Sequence, residues 1–435
     1  MTFTKYLTAG VLGMATALPS SAFAQTEIQF WHAMGGRLGE VVEEITAKYN
    51  ESQSDYTLVS TYKGGYEDTM TAGIAAFRAK EQPNIIQIFD AGAATIINAK
   101  GATVPMADLM AEHAGGFDSA DYIEGVRYFY ADSDGKMIGM PFNSSTPLLY
   151  YNKDAFAEAG IENPPATWEE FEAIAPVLKE AGYTALAQSH SPWIFSENFH
   201  SRHNLQLATG NNGYDSTDVE ILYNNDHMKM HWGKVKEWLD AGYYGFYGRA
   251  WGDNQDAFVQ KEVAMWLGSS GSFGGLSNSA EFEFGAAYLP YWKSIIEEPK
   301  GTFIGGAALF AMSGKPDEEN KGVADFMSFL TSAEMQYFWH KETGYVPITN
   351  AAYDLAKGDG YYETTPDAEV GILQLTQPGG EWTKGYRLGY YVQIRDVMYK
   401  HFDDIFSGEA SVDDAFAEME TEANALLTRF KDTYN

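Results

Sequence analysis

The chain has 435 residues, 60 of them acidic and 29 basic, so its formal net charge is −31 at neutral pH. A single hydrophobic core rarely grows beyond roughly 250–300 residues, and we therefore expect two lobes. The acidic balance argues against binding to nucleic acid or anionic membranes, since both require a basic surface. The absence of cysteine excludes disulfides, thiol catalysis, cysteine metal sites and a lipid anchor on cysteine.

Residues 1–24 have the pattern of a secretory signal peptide. One positive charge, Lys5, precedes an apolar run over residues 6–18, and Ala22-Phe-Ala24 has the small residues of a cleavage site. The run is shorter than the ~20 apolar residues that a membrane-spanning helix needs. We therefore expect cleavage before Gln25 and export to the periplasm.

The next part of the chain alternates short apolar runs with amphipathic ones. Apolar residues recur at helical spacing at Leu38, Val41, Val42, Ile45 and Tyr49. The predicted elements are a strand at 28–30, the helix through these positions, a strand at 56–62, a helix at 70–79 and a buried strand at 84–89. Alternating strands and helices predict an α/β lobe with a mainly parallel sheet, in which ligands bind beyond the strand ends.

The middle of the chain contains a strand signal and a helix signal. Residues 143–154 begin polar and become apolar within a few residues, which predicts a buried strand after a hydroxyl-rich segment. Thr167 and Glu170 form a capping box that starts a helix. A strand is predicted around 264–267, and the small residues at 268–275 indicate a flexible loop.

The last part of the chain returns to the same alternation. The predicted elements are a strand at 307–312, a helix around 323–330, a turn at Gly344-Tyr345 and a helix at 411–430. The sequence has no internal repeat and no low-complexity tract, which argues against a structural or adhesive surface protein.

Motifs for catalysis and metal binding are missing or incomplete. The sequence has no Walker A loop, HExxH helix or GxGxxG turn, and residues 268–272 have serine where the last glycine of a nucleophile elbow belongs. The pairs His227/His231 and His200/His203 lack a third ligand in register, so we interpret them as solvated helix faces. We expect no catalytic residue, no metal site and no cofactor.

Four segments carry a family resemblance: Phe30-Trp-His32, Tyr62-Lys-Gly-Gly-Tyr-Glu67, Asn143-Ser-Ser-Thr-Pro-Leu-Leu-Tyr-Tyr-Asn-Lys-Asp154 and Thr343-Gly-Tyr-Val-Pro-Ile-Thr349. Through them the chain resembles the extracellular solute-binding proteins of ABC importers. The resemblance implies a two-lobed α/β fold of the type II periplasmic-binding-protein class, with a ligand cleft at the hinge. It places the first lobe at residues 25–143 plus 302–350 and the second at residues 144–301 plus 351–435.

The resemblance also implies eight ligand-binding residues, which match the family's ligand contacts: Tyr66, Asp90, Ser145, Trp168, Ser269, Gly306, Tyr345 and Arg395. Arg395 is the expected anion-binding residue, because its guanidinium matches a phosphate bidentately. A surface arginine paired with Asp396 is the alternative. Ser145, Ser269 and the backbone at Gly306 would hold phosphate oxygens, although turn chemistry explains many such serines.

The remaining four residues would bind the rest of the ligand. Asp90, Tyr66 and Tyr345 would bind glycerol hydroxyls, and Trp168 would form an apolar wall. The alternatives are a helix-capping aspartate, core tyrosines and a packed helix start. The family has glutamate where Asp90 stands, so a shorter side chain loses reach or leaves room for a larger head group.

The resemblance implies high-affinity capture of sn-glycerol 3-phosphate and its delivery to the transmembrane subunits of an ABC permease. Glycerophosphodiesters are the nearest alternative ligands, followed by oligosaccharides held on aromatic side chains. A secreted hydrolase of sugars or phosphate esters is the alternative from another class, and it would need an activated water or nucleophile. We expect a periplasmic monomer that is not an enzyme.

Overall fold

The computed structural model describes Met1 and residues 25–434. The signal-peptide prediction for residues 1–24 therefore lies outside the described residues, apart from Met1. Within the described residues, no helix combines the length and the apolar composition that crossing a membrane requires. The described residues form two β-sheets with helices packed around them.

The strands of the described residues are β1 (Thr26–His32), β2 (Tyr56–Tyr62), β3 (Ile85–Phe89), β4 (Thr103–Val104), β5 (Met140–Pro141), β6 (Pro147–Asn152), β7 (Thr184–Gln188), β8 (Tyr244–Gly245), β9 (Val263–Ser269), β10 (Phe284–Tyr288) and β11 (Ala307–Met312). The helices of the first half are α1 (Gly36–Ser52), α2 (Tyr66–Ala79), α3 (Ala93–Asn98), α4 (Met106–His113), α5 (Glu124–Arg127), α6 (Lys153–Glu158), α7 (Trp168–Glu180), α8 (Asn198–Arg202) and α9 (Thr209–Asn212).

The helices of the second half are α10 (Asp226–Asp240), α11 (Trp251–Val259), α12 (Phe273–Ser279), α13 (Asp317–Leu330), α14 (Ala333–Thr343), α15 (Asn350–Gly358), α16 (Tyr361–Thr364), α17 (Val370–Leu375), α18 (Tyr391–Ser407) and α19 (Val412–Tyr434). Two short turns matter for the site: a 3-10 turn at Asp90–Gly92 and a π-helical turn at Pro192–Glu197.

The pattern of apolar residues explains the strands and helices that were predicted from the sequence. β1 buries every second residue from Ile28, whereas β3, β9 and β11 are buried along their whole length. Helix α1 buries Val41, Val42, Ile45 and Tyr49, which lie on one helical face. The predicted strands and helices are confirmed, with ends that differ by a few residues.

The first lobe contains a sheet in the order β2-β1-β3-β11-β4, with β5 also paired to β11. Strand β1 runs parallel to β2 and β3, but β11 runs antiparallel to β3, β4 and β5. The sheet is therefore mixed, and the prediction of a mainly parallel sheet is wrong. The reason is that β11 enters from the other lobe and joins the sheet in the opposite direction.

The second lobe contains a sheet in the order β10-β6-β9-β7-β8. The chain crosses between the lobes from β5 to β6 and returns from β10 to β11. The two crossings are joined where the Ser145 amide donates to the Gly305 carbonyl at 3.1 Å and the Gly305 amide donates back at 2.9 Å. This pairing holds the ends of strands from both lobes at one hinge. The exact lobe boundaries stay a prediction.

The loop predicted at residues 268–275 is shorter than expected. Strand β9 extends to Ser269, a 3-10 turn follows, and α12 begins at Phe273. The small residues serve close packing, because a Cβ at Gly271 would lie 2.5 Å from the Tyr345 ring and one at Gly274 would lie 2.4 Å from a backbone oxygen. At Gly271 and Gly274, neighbouring elements leave no room for a side chain.

Candidate functional site

A cleft of about 610 Å³ lies between the two lobes. Its volume is within the range of small-molecule sites. Seven of the eight predicted ligand residues line it: Tyr66, Asp90, Ser145, Ser269, Gly306, Tyr345 and Arg395. They come from both lobes and from the crossings, so the fold brings together residues that are far apart in the chain.

Trp168 does not reach the cleft. Its side chain is 2% exposed and packs edge-on against Phe171 and Phe195 and beside Trp238. The predicted capping box is present, since the Thr167 hydroxyl accepts from the Glu170 amide at 3.1 Å. The box thus starts α7 correctly, but it turns Trp168 into the core of the second lobe, which corrects the prediction of an apolar wall.

Arg395 is buried at the floor of the cleft and contacts two carboxylates. Its Nε and Nη2 donate to the two oxygens of Glu197 at 2.8 and 2.7 Å. Its Nη1 and Nη2 donate to the two oxygens of Asp90 at 3.3 and 2.5 Å, and Nη2 also lies 3.1 Å from the Tyr386 hydroxyl. Because Arg395 is 4% exposed, the alternative of a surface arginine paired with Asp396 is wrong.

This ion cluster connects the lobes. Asp90 directly follows β3 of the first lobe, whereas Arg395 is on α18, which packs against α10 and α19 of the second lobe. The Asp90 carboxylate does not cap α3, whose N-cap receives no side-chain hydrogen bond. The cluster has one positive and two negative groups, a formal net charge of −1.

Burial and pairing set the protonation of the cluster. Burial raises the pKa of Glu197, and Arg395 opposes this effect. Burial acts to lower the pKa of Arg395, but Asp90 and Glu197 raise it well above its ordinary value. Both oxygens of Glu197 face N–H donors, which is the geometry of an ionised carboxylate.

Two tyrosines, Tyr66 and Tyr345, also line the cleft. The Tyr66 ring stacks on Phe89 at 5.1 Å, and its hydroxyl accepts from the Asn143 amide at 2.7 Å. The Tyr345 ring stacks on Trp339 at 5.5 Å. Burial raises the pKa of both tyrosines, whose hydroxyls also interact with each other, so at neutral pH both stay protonated.

Hydroxyl and backbone groups form the upper part of the cleft. Ser269 ends β9, and its Oγ accepts from the Gly271 amide at 3.1 Å, which leaves its hydroxyl proton free to donate. Gly306 has φ +92°, and a Cβ there would lie 1.9 Å from the Asn143 carbonyl oxygen. Glycine is therefore required at this crossing by both conformation and space.

Sequence reasoning missed an aromatic wall in the second lobe. The side chains of His190, Trp193, Trp251 and Tyr399 all line the cleft. His190 has φ 67°, and its Nδ1 lies 2.8 Å from the Tyr399 hydroxyl. Burial, and then Arg395, lower the pKa of His190 well below its ordinary value. His190 is therefore neutral at pH 7. Arg249, which also lines the cleft, lies 5.5 Å from the centre of the Tyr399 ring.

Trp193 brings an unused donor to the cleft. Its side chain is 3% exposed, and its indole N–H has no acceptor among the described residues. A buried N–H without a partner is costly, and in a ligand cleft it is a candidate contact for the ligand. No local sequence signal marks Trp193, because it follows Pro192 in a π-helical turn that periodicity does not predict.

The histidine pairs are mostly buried, which corrects their interpretation as solvated faces. The Trp292 backbone amide donates to His203 Nε2 at 2.8 Å, and His203 Nδ1 lies 2.7 Å from the Phe199 carbonyl. One nitrogen must therefore accept while the other donates, so the imidazole is neutral. Burial lowers the pKa of His203 to about 3.

Two groups in the described residues are close enough to share a cation, and both lie outside the cleft: Glu112, His113 and Asp317, and His401, Glu418 and Glu422. Lysines already occupy them, since Lys321 binds Asp317 at 3.0 Å and Lys400 binds Glu422 at 2.8 Å. These lysines would compete with a metal ion for the two carboxylates.

Known proteins share this sequence and architecture. Residues 44–369 match the model for bacterial extracellular solute-binding proteins. The sn-glycerol-3-phosphate-binding periplasmic protein UgpB of Escherichia coli (strain K12) is 38% identical over 431 residues, covering 98% of each chain. The protein of the same name from Rhizobium meliloti (strain 1021) is 39% identical over 411 residues, covering 93% of this chain and 95% of the relative.

The fold is likewise shared with a solved structure. UgpB from Mycobacterium tuberculosis, in complex with glycerophosphocholine, superimposes with a TM-score of 0.79 at 21% identity, covering 94% of this chain and 100% of that one. At this identity the likeness is evidence for the two-lobed α/β fold alone. The family model and the full-length relatives show that the chain belongs to the bacterial extracellular solute-binding proteins, the ligand-binding components of ABC importers.

Proposed function

We propose that this protein captures sn-glycerol 3-phosphate or a glycerophosphodiester in the periplasm and delivers it to the transmembrane subunits of an ABC permease, as a monomer and without catalysis. The observation that carries the proposal is the convergence of seven residues, expected from the family, on one cleft between the lobes. Relatives that are 38–39% identical over nearly the whole chain are named for sn-glycerol 3-phosphate.

The hydrogen-bonding groups of the cleft suit a phosphate ester, both its phosphate and its glycerol part. Arg395 has five N–H donors, and the contacts described above engage Nη1 by only one long hydrogen bond of 3.3 Å. One N–H of Nη1 is therefore available, together with the Ser145 and Ser269 hydroxyls and the Trp193 indole N–H. Asp90 and the tyrosine hydroxyls are available for the glycerol part.

The alcohol part of a diester would contact the aromatic wall. A volume of about 610 Å³ lies within the range of roughly 300–1,000 Å³ found for sites of drug-sized ligands, so glycerol 3-phosphate alone leaves part of the cleft unfilled. The rings of Trp193, Trp251 and Tyr399 give that part an apolar surface. The same rings are the reason to keep oligosaccharides as a second candidate, because sugar faces stack on aromatic rings.

Thermal unfolding with a panel of ligands tests the proposal. Glycerol 3-phosphate, glycerophosphocholine, inorganic phosphate and maltose are each added to the purified protein. A ligand at a hundred times its dissociation constant stabilises the folded state by ~2.7 kcal/mol, and we expect this for the two glycerophosphates. Stabilisation by maltose alone would favour the sugar candidate and contradict the proposal.

Export is tested separately. Intact-mass analysis of the protein from fractionated cells should find a periplasmic species that begins at Gln25, as the pattern in residues 1–24 predicts. A cytoplasmic species that retains the leader would contradict the importer function.

A further inference from the structure

Glu197 is a buried carboxylate of the ion cluster that a contact with the ligand does not explain. It ends the π-helical turn, is 0% exposed and does not line the cavity. It lies behind Arg395, in contact with the Nε and Nη2 edge of the guanidinium. The edge formed by Nη1 and Nη2 faces Asp90 and the cleft.

Charge balance does not require this second carboxylate. Asp90 alone would neutralise Arg395, and burying a further ionised carboxylate costs free energy that a neutral side chain would not. The extra group gives the cluster its formal net charge of −1. A doubly charged ligand beside the cluster is therefore repelled more than a singly charged one.

We infer that Glu197 is a positioning residue that sets charge selectivity: it orients Arg395 by one edge and, with Asp90, makes the cleft floor favour singly charged phosphates over doubly charged ones. The inference rests on the proposed function, because it concerns the phosphate of the same ligand. A phosphate monoester carries about −1.5 to −2 charges at pH 7, whereas a phosphodiester carries a single charge.

Isothermal titration calorimetry at neutral pH, with sn-glycerol 3-phosphate and its methyl diester, tests the inference. The two probes differ by one charge and one methyl group, so the ratio of their affinities reports charge selectivity. Glu197→Gln keeps the shape and one acceptor but removes the charge. We expect the ratio to shift at least tenfold toward the monoester, because at an effective dielectric of about 20 one unit charge changes the affinity of another by about tenfold at ~12 Å and by more at shorter distances.

The matched control is Glu172→Gln. Glu172 is a partly buried glutamate of α7 that accepts from the Trp238 indole N–H at 3.1 Å and lies outside the cavity lining. This variant also removes one negative charge, and its affinity ratio should stay within about twofold of wild type, because water screens distant charges. If a variant only lost packing, its affinity for both ligands would fall equally and the affinity ratio would stay unchanged.

The outcomes separate the inference from the proposed function. If the wild-type protein binds both probes and folded Glu197→Gln has the same affinity ratio, the inference is overturned and the proposed function stays intact. If the wild-type protein binds neither probe, both the inference and the proposed function are overturned. Circular dichroism shows whether Glu197→Gln is folded. If it is unfolded, Asp90→Asn is used instead, because it removes the charge of the other carboxylate in the cluster and should shift the affinity ratio in the same direction. An unchanged ratio in Asp90→Asn overturns the inference.

Discussion

Replacing Arg395 by alanine should destabilise the protein as well as weaken binding. The change leaves Asp90 and Glu197, 5% and 0% exposed, facing each other without the cation between them. Removal of one partner from a buried pair costs about 3–5 kcal/mol, a large part of the ~5–15 kcal/mol by which domains are stable. Urea unfolding followed by tryptophan fluorescence measures this loss.

A triple variant separates stability from binding. Arg395→Met with Asp90→Asn and Glu197→Gln removes all three charges together, and such neutral replacements are often as stable as the ion pairs. The triple variant should recover most of the lost stability, yet its affinity for glycerol 3-phosphate should stay lower by at least ~1.5–3 kcal/mol, the range for a hydrogen bond to a charged group. A loss of stability below about 1 kcal/mol in Arg395→Ala, or wild-type affinity in the triple variant, would refute the reasoning.

Three further predictions concern a glycine, a histidine and two tryptophans. Gly306→Ala should lower the melting temperature and the ligand affinity, whereas Gly101→Ala, with φ +76° but open space around it, should cost only the conformational strain. The pKa of His203 is lowered to about 3 from ~6.5 in the unfolded chain. Protonation of His203 in the unfolded chain should therefore lower the free energy of unfolding by about 2 kcal/mol at pH 5, relative to a pH at which His203 is neutral in both states. Trp168→Phe should lower stability and leave ligand ranking unchanged, whereas Trp193→Phe should weaken binding.

The sign of the His203 effect follows from its lowered pKa. Between pH 6.5 and the folded-state pKa, the unfolded chain binds the proton that the folded chain excludes, so stability falls as the pH falls through this window. Urea unfolding at pH 7 and pH 5 should show a smaller loss in His203→Gln than in wild type. The exposed His227→Gln is the control and should follow wild type. Equal losses in all three proteins would contradict the assignment of a neutral, buried His203.

The strands and helices were predictable where one physical signal dominates. Continuous apolar runs gave β3, β9 and β11, and the capping box at Thr167 gave the start of α7. The same local signals failed at residues 268–275, because small residues predict flexibility in isolation but here relieve crowding by Tyr345 and α14. Local composition cannot distinguish a glycine that frees the backbone from one that makes room for a neighbour.

The site was predictable only as a set of separate residues. Arg395 meets Asp90 across 305 positions and Glu197 across 198 positions, and no pattern in the chain states these contacts. Resemblance supplied seven residues of the cleft but neither the aromatic wall nor Glu197. The prediction for Trp168 was wrong because a capping box fixes where a helix begins but not which face of its first turn points toward the ligand. Only packing decides that orientation.

The net charge of the chain does not decide whether the cleft accepts an anion. Salt screens exposed charges beyond ~8 Å at physiological ionic strength, whereas Asp90 and Glu197 are buried in direct contact with Arg395. Since this cluster is net negative, Arg395 cannot supply all of the attraction for a phosphate. Arg249 also lines the cleft, but it is paired with Asp403. The uncharged donors, namely the Ser145 and Ser269 hydroxyls and the Trp193 indole N–H, bind an anion without adding a countercharge. Such donors are effective only when desolvated and fixed, and this requires both lobes to be held together at the crossings.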